Sequence, residues 1–230
     1  MIIGFCGFAG SGKDTAADYL VNFYNFDRIS FAGPLKDTLS AVFGWERSML
    51  EGRTVSDRQK REQIDQWWAN RLNIPYLTPR WVLQHWGTDI LRNKFHQDIW
   101  TASLENKLRN NDRNVVVTDV RFPNEILSVK DAGGYVVKIK RGNNPLWIDD
   151  AHVVNSGPSN PNYEKSLIKL NELGIHYSER NWIDEPVDFT IDNNGSIDEL
   201  FKKIEKLIND LGSNRLASRV IPHCAINVDS

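Results

Sequence analysis

Cysteine is almost missing from this chain of 230 residues, which carries only Cys6 and Cys224. One lies in an apolar run and the other near the C-terminus, so a disulfide framework is excluded and a reducing cytosol is the expected compartment. The five histidines, His85, His96, His152, His176 and His223, are scattered without the paired spacing of a zinc site, and no structural metal is expected. Charge of one sign is not in excess either. Lys and Arg number 28 against 30 Asp and Glu, a net charge of −2, so no general electrostatic pull draws the chain to nucleic acid or an anionic membrane. Apolar runs fall far short of the ~20 residues of a membrane span. Met1-Ile2-Ile3-Gly4 has no basic n-region of a secretory leader. The expectation is a soluble cytoplasmic protein with no membrane partner and no direct nucleic-acid binding, whose anionic ligand is small. With 40% apolar and 25% charged residues, the chain can bury one substantial core.

What the chain does hold is concentrated at its start. Gly7-Phe8-Ala9-Gly10-Ser11-Gly12-Lys13-Asp14-Thr15 follows the apolar run Ile2-Ile3-Gly4-Phe5-Cys6 and opens a helical pattern. This is a phosphate-cradling P-loop in strand-loop-helix context. Its glycines let backbone N–H groups face an anion, the helix N-terminus adds partial positive charge, and Lys13 reaches the β/γ-phosphates of a nucleotide. Gly10, Ser11, Gly12, Lys13, Asp14 and Thr15 are therefore the expected ATP contacts. The residue after the lysine is Asp14 rather than the Ser or Thr that contacts Mg²⁺ in the consensus, and Thr15 follows one step later.

Five β-type runs, at 2–6, 28–31, 115–118, 135–139 and 187–191, are separated by helical segments, and several are continuously apolar. Strands covered on both faces read this way, which predicts a parallel α/β sheet. Ser196 with Glu199 three residues later forms a capping box before Ile197, Leu200, Phe201, Ile204, Leu207, Ile208 and Leu211, a helical stripe that ends the domain. Two stretches fit no simple crossover. The first, from Trp45 to Asn70, is charged and helical in pattern; the second, from Gly142 to Pro186, is loop-like, with Pro145, Pro158, Pro161 and Pro186. Stretches this long are functional lids or unstructured.

Isolated cations stand where a second anion site would be built. Lys36 follows Gly33-Pro34-Leu35 at the strand-carboxyl edge, where open α/β sheets bind ligands. Arg47, Arg53 and Arg58 crowd one segment, and arginine forks suit bidentate phosphate binding, although a solvated helix face has the same composition. Arg80 starts a Pro-initiated helix that the Gly87-Thr88 pair is expected to break, and Trp100 offers an aromatic face for a base. Asp119, in Thr118-Asp119-Val120-Arg121-Phe122-Pro123-Asn124-Glu125 at the end of the third strand, is the acid placed to hold Mg²⁺ through its water shell or to position an acceptor. The competing reading of Asp119 is a cap for the helix beginning near Pro123. A phosphate acceptor is mostly dianionic at pH 7 and needs no general base, which agrees with a chain that shows no nucleophile-base pairing.

Taken together and in order, Gly12-Lys13-Asp14-Thr15, Ala32-Gly33-Pro34-Leu35-Lys36-Asp37, Leu50-Glu51-Gly52, residues 83–89 with Trp100, residues 119–125 and Asn193-Asn194-Gly195-Ser196 carry a resemblance over most of residues 1–211. The chain resembles the deoxynucleoside monophosphate kinases of tailed bacteriophages. The resemblance implies a P-loop NTPase fold that is adenylate-kinase-like, with a five-stranded parallel sheet flanked by helices. It implies ATP and Mg²⁺ as cofactors, with Thr15 and Asp119 toward the metal and Asn193 near the adenine. Lys13, Asp119 and Arg121 would be catalytic, and Lys36, Arg47, Arg80, Gly87, Thr88, Trp100, Asp119 and Arg121 would line the acceptor site. Phosphorylation of deoxynucleoside monophosphates in the host cytoplasm is the implied activity.

The expected organisation is a kinase domain at 1–211, with a substrate-binding helical insertion at about 45–110, a lid at about 142–186 ending in His176-Tyr177-Ser178-Glu179, and a tail at 212–230. A homodimer contact through the tail stands beside a monomer. The alternative acceptor is another small phosphorylated metabolite, as in phosphomevalonate kinases. An ATP-driven switch or nucleic-acid motor is the more distant reading, because no Asn-Lys-x-Asp guanine motif follows the third strand.

Overall fold

The computed structural model describes residues 1–109 and 111–219, with side chains as far as residue 213. In chain order the elements are β1 (Ile2–Cys6), α1 (Lys13–Tyr24), β2 (Phe26–Ile29), α2 (Gly33–Phe43), α3 (Arg47–Glu51), α4 (Val55–Glu62), α5 (Gln66–Leu72) and α6 (Pro79–Gln84). A π-helical stretch (His85–Phe95) continues α6, and then come α7 (Ile99–Leu108), β3 (Asn114–Val117), α8 (Pro123–Asp131), β4 (Tyr135–Lys140), α9 (Ile148–Asn155) and α10 (Tyr163–Glu172). A 3-10 turn (Tyr177–Glu179), β5 (Phe189–Asp192) and α11 (Ile197–Arg219) complete the described chain.

All strand pairings are parallel, in the order β2-β3-β1-β4-β5. This is the five-stranded parallel sheet expected from the apolar runs. β1 lies at the centre, and its alternate residues point to opposite faces. Ile3 and Phe5 pack with Ala16, Ala17 and Leu20 of α1 and with Leu200, Ile204 and Leu207 of α11. Cys6 belongs to the opposite core with Leu35, Leu39, Leu50, Val82, Leu104, Ile126 and Trp182. Burial there pushes the Cys6 thiol up to about 11, so it serves as packing. Because the strands are parallel, their carboxyl ends meet along one edge, and the P-loop after β1, the β2–α2 loop and the segment after β3 gather there.

Several boundaries differ from the sequence reading. β2 ends at Ile29 instead of running through 28–31, because the backbone N–H groups of Phe31 and Ala32 are donated to Asp119 instead of a neighbouring strand. The stretch from Gly142 to Pro186 is not a loop: it contains α9 and α10, with Pro145 just before the first and Pro158 and Pro161 between them. Gly87 and Thr88 do not break the helix after Arg80 but lie inside the π-helical stretch. The last helix does not end at Leu211, so residues 212–219 belong to it, and the rest of the expected tail, with Cys224 and His223, lies outside the described residues. Ser196 Oγ accepts the Glu199 N–H at 3.2 Å, the forward half of the expected capping box. Among the described residues no helix is long and apolar enough to cross a membrane.

One buried ion pair fixes the segment after β3. Arg92, on the π-helical stretch, donates to Glu125 at 2.6 Å, to Asn124 at 3.2 Å and to the Gln97 carbonyl, and its guanidinium lies 3.8 Å over the Phe122 ring. Glu125 also accepts the Arg121 N–H at 2.8 Å, yet burial pushes its carboxyl up to about 7 against the pull of Arg92. Removing one partner leaves the other buried and unpaired. Arg92→Met is therefore expected to cost about 3–5 kcal/mol at pH 8, read as a lower urea midpoint. Arg92 lowers the Glu125 pKa, so in the variant the carboxyl takes up its proton at higher pH than in the wild type, and the loss should shrink as pH falls toward about 7 and level off below it. A loss independent of pH would contradict this account.

Candidate active site

The P-loop is shaped by Gly12, which caps α1 with φ 103° and makes no side-chain cap bond, so the first N–H groups of the helix stay available to an anion. A Cβ at Gly12 would stand 2.3 Å from the Asn193 amide nitrogen, and that amide donates to the Ser11 carbonyl at 2.8 Å. Asn193, expected near the adenine, is buried behind the loop and holds its backbone. Ser11 is buried too, and Gly10 is exposed at the loop tip. Lys13 Nζ bridges the carbonyls of Gly7 and Phe8 at 2.7 and 2.8 Å, arching over the loop. Burial, and then the positive charge of Arg121, bring its pKa down to about 8.

Asp14 and Asp18 are both paired with Arg28 of β2, the second at 2.8 Å. Arg28 was not among the expected site residues, because on its own a strand arginine carries no signal. The half-buried Thr15 hydroxyl has no hydrogen-bond partner among the described residues, and this suits a hydroxyl meant for Mg²⁺. Asp119 accepts the N–H groups of Phe31 at 2.9 Å and Ala32 at 3.0 Å, one on each carboxylate oxygen. It caps the entry to α2 rather than the helix at Pro123, and it keeps one lone pair per oxygen for water around a cation. No cluster of three His, Cys, Asp or Glu side chains occurs among the described residues.

The expected acceptor residues fall into three groups. Lys36 reaches Glu51 at 2.7 Å, and Arg47 pairs with the same carboxylate and with Asp37 at 2.6 Å, so these two cations share Glu51. The two cations hold the Glu51 carboxyl down at about 2 although burial opposes them. Beside them is a cleft of about 230 Å³, whose walls include Arg28, Ser30, Gly33, Arg47, Glu51 and Thr118.

Arg80 and Arg121 lie elsewhere. Arg80 is linked at 3.3 Å both to Glu62 and to Glu179, which ties the 3-10 turn of the expected lid to α6. The Arg121 side chain makes no hydrogen bond or ion pair among the described residues, and it acts electrostatically on Lys13, on His176 and on Arg61. Arg61 is a functional candidate that the sequence did not single out.

The third group is buried. Trp100, expected to offer a face to a base, is buried and donates its indole N–H to the Gly87 carbonyl at 2.8 Å. Gly87 packs so closely on Leu35 that a Cβ would come within 2.7 Å, and Thr88 is buried beside it, next to Tyr177. The stretch at 142–186 also packs on the P-loop, where Phe8 meets Trp147 and Trp182 edge-on with centroids 5.6 and 5.0 Å apart. His176 closes the 3-10 turn by bonding Ser178 at 2.8 Å, and burial holds its pKa below the ordinary value.

Residues 48–172 match the family described as Deoxynucleotide monophosphate kinase. The match covers α3 through α10, the part of the chain that the P-loop itself does not specify. A protein of Acanthamoeba polyphaga mimivirus, provisionally named a deoxynucleotide monophosphate kinase, is 35% identical over 66% of this chain and 79% of its own length. The deoxynucleoside-5'-monophosphate kinase of Escherichia phage T5 is 28% identical over 54% of this chain and 70% of that protein. The deoxynucleotide monophosphate kinase of Enterobacteria phage T4 is 22% identical over 91% of this chain and 99% of that protein. More than half of the sequence thus matches that one family, on a parallel sheet whose central strand leads into a P-loop, and the chain belongs to the deoxynucleotide monophosphate kinase family.

Proposed function

We propose that the protein transfers the γ-phosphoryl group of ATP to a deoxynucleoside monophosphate, giving ADP and a deoxynucleoside diphosphate. The observation that supports this reading is the charge coupling of Arg121, which acts electrostatically both on Lys13 of the P-loop and on Arg61, whose neighbour Glu62 pairs with Arg80. A donor triphosphate on the P-loop and an acceptor phosphate at Arg61 and Arg80 would both feel that charge. The family match favours a nucleotide acceptor over a non-nucleotide metabolite such as phosphomevalonate.

The acceptor brings its own nucleophile. An oxygen of its dianionic phosphate attacks the γ-phosphorus, the bond from that phosphorus to the β,γ-bridging oxygen breaks, and ADP leaves with the electron pair. No side chain has to remove a proton. The protein contributes alignment and positive charge. Lys13 exchanges its two carbonyl partners for phosphate oxygens, the first N–H groups of α1 hold the donor, and Arg121 offsets charge on the group in transfer. Mg²⁺, held by the Thr15 hydroxyl and by water on Asp119, would neutralise the β- and γ-phosphate oxygens. Asp119 meanwhile fixes the β2–α2 loop, and through it α2 and Lys36.

A coupled assay of ADP release with each canonical dNMP, each ribonucleotide and phosphomevalonate tests the reading. The expected result is ADP formation that depends on at least one dNMP, with the matching dNDP seen by phosphorus NMR. Turnover with phosphomevalonate alone, or with none of these compounds, refutes it.

A further inference from the structure

Leu50-Glu51-Gly52 recurs in the motifs that carry the family resemblance, yet the pairing of Glu51 with Lys36 and Arg47 accounts for only one of the three residues. Gly52 ends α3 with φ 67°, and a Cβ there would come within 2.3 Å of Cζ and Nη2 of Arg61. The guanidinium of Arg61, from the last turn of α4, therefore lies against the backbone at Gly52. Any Cβ at 52 would displace it from that position, and the positive φ favours glycine there as well.

What the guanidinium does there is not spent inside the protein. Its Nε is buried with no partner, and its Nη1 makes a single bond to the Leu50 carbonyl, stretched to 3.4 Å. Arg58, one turn earlier, is satisfied by the carbonyls of Gly52 and Arg53 at 3.2 and 3.0 Å. Lys36, Arg47 and Arg80 all have carboxylate partners, whereas among the described residues Arg61 has none within ion-pair distance. Glu62, the next residue, is paired with Arg80 at 3.3 Å, and burial followed by the charges of Arg80, Arg58 and Arg121 holds the Arg61 pKa below the ordinary arginine value, with Glu62 acting in the other direction. A half-buried guanidinium among like charges is unfavourable unless an anion enters the group. Arg121, whose side chain also has no partner among the described residues, acts electrostatically on both Arg61 and the P-loop lysine.

We propose that Arg61 binds the phosphate of the acceptor together with Arg80 and Arg121, and that Gly52 is glycine so that the Arg61 fork can lie against it. The inference rests on the acceptor being a nucleoside monophosphate. The ligand it implies is a phosphomonoester dianion, which a planar fork grips through two parallel N–H donors.

The test uses the full chain and the variants Arg61→Ala, Arg61→Lys and Gly52→Ala. Each is measured for kcat, for KM of ATP and of the dNMP the wild type prefers, and for dNMP and deoxynucleoside affinity by calorimetry. Loss of one charge-assisted contact should raise the KM and Kd of the dNMP about 10–100-fold. The KM of ATP should stay within about twofold, and the affinity for the deoxynucleoside, which lacks the phosphate, should not change. Arg61→Lys should recover part of the loss, because it restores charge without the fork. Gly52→Ala should mimic Arg61→Ala by displacing the fork, and its effect should vanish in an Arg61→Ala background. The melting temperature of each variant shows whether it folds, and Arg61→Lys and Gly52→Ala decide the matter if Arg61→Ala does not. An unchanged dNMP Kd in a folded variant, or equal losses for dNMP and deoxynucleoside, overturns the proposal while leaving a wild type active on dNMPs intact. A wild type inactive on every dNMP overturns the functional reading and this proposal with it.

Discussion

Lys13→Met is expected to lower kcat by about 10²–10³-fold, the usual cost of removing one preorganised donor from a transition state that carries charge. The variant should still fold. Lys13 is desolvated enough that burial, with Arg121 adding to it, brings its pKa down from 10.5 to about 8, so its charge is a cost to the folded state in the absence of an anion. Methionine has a similar length and no charge to desolvate, and the melting temperature of Lys13→Met should equal or exceed that of the wild type. Activity lost together with fold would mean that the lysine works as packing.

The same depressed pKa sets a pH dependence. Between about 8 and 10.5 the unfolded chain carries a proton on Lys13 that the native state has lost, so this group adds stability as pH rises through that window. Binding acts in the opposite sense. A triphosphate favours the charged lysine, so above pH 8 ATP should bind with proton uptake and its KM should climb. Calorimetry of ATP binding at pH 8.5, in two buffers of different ionisation enthalpy, reads the proton count directly. A count near zero would place Lys13 outside the phosphate site.

Arg121→Ala carries the second large expected effect, a fall in kcat of about 10³-fold or more, the range seen when an arginine that offsets phosphoryl charge is removed. It differs from the Lys13 substitution in one respect that can be checked. Arg121 is the strongest charged neighbour depressing Lys13, so its removal should move the alkaline rise in the KM of ATP to higher pH. A residue that only bound the acceptor would raise the KM of the dNMP and leave the alkaline limb for ATP in place. Both changes together are expected, because the charge of Arg121 acts on Arg61 as well as on Lys13.

The P-loop, the order of strands and helices and the two-sided sheet could be read from the chain because each is written over a few neighbouring residues. Glycine at 12 permits a left-handed turn, and Ile2-Ile3-Gly4-Phe5-Cys6 carries the continuous apolar pattern of a central strand. The segment from Gly142 to Pro186 was harder, because its prolines suggest a loop although they only punctuate α9 and α10. Sequence could not show what Trp100 and Asn193 bond to within the fold: the Trp100 indole N–H goes to the Gly87 carbonyl and the Asn193 amide to the Ser11 carbonyl.

The amino-acid order by itself determined that a strand, a phosphate loop and a helix would follow one another, and that the chain would fold as a parallel α/β kinase of one recognisable family. Tertiary structure alone decided which cations remain unpaired for a ligand. Lys36 and Glu51 are 15 residues apart, Arg80 and Glu179 are 99 apart, and the charge of Arg121 acts on Arg61 although 60 residues separate them. Backbone torsions and side-chain periodicity act between neighbours and are legible in sequence. Coulomb interactions and desolvation depend on distance and burial in space, and those exist only once the chain has folded.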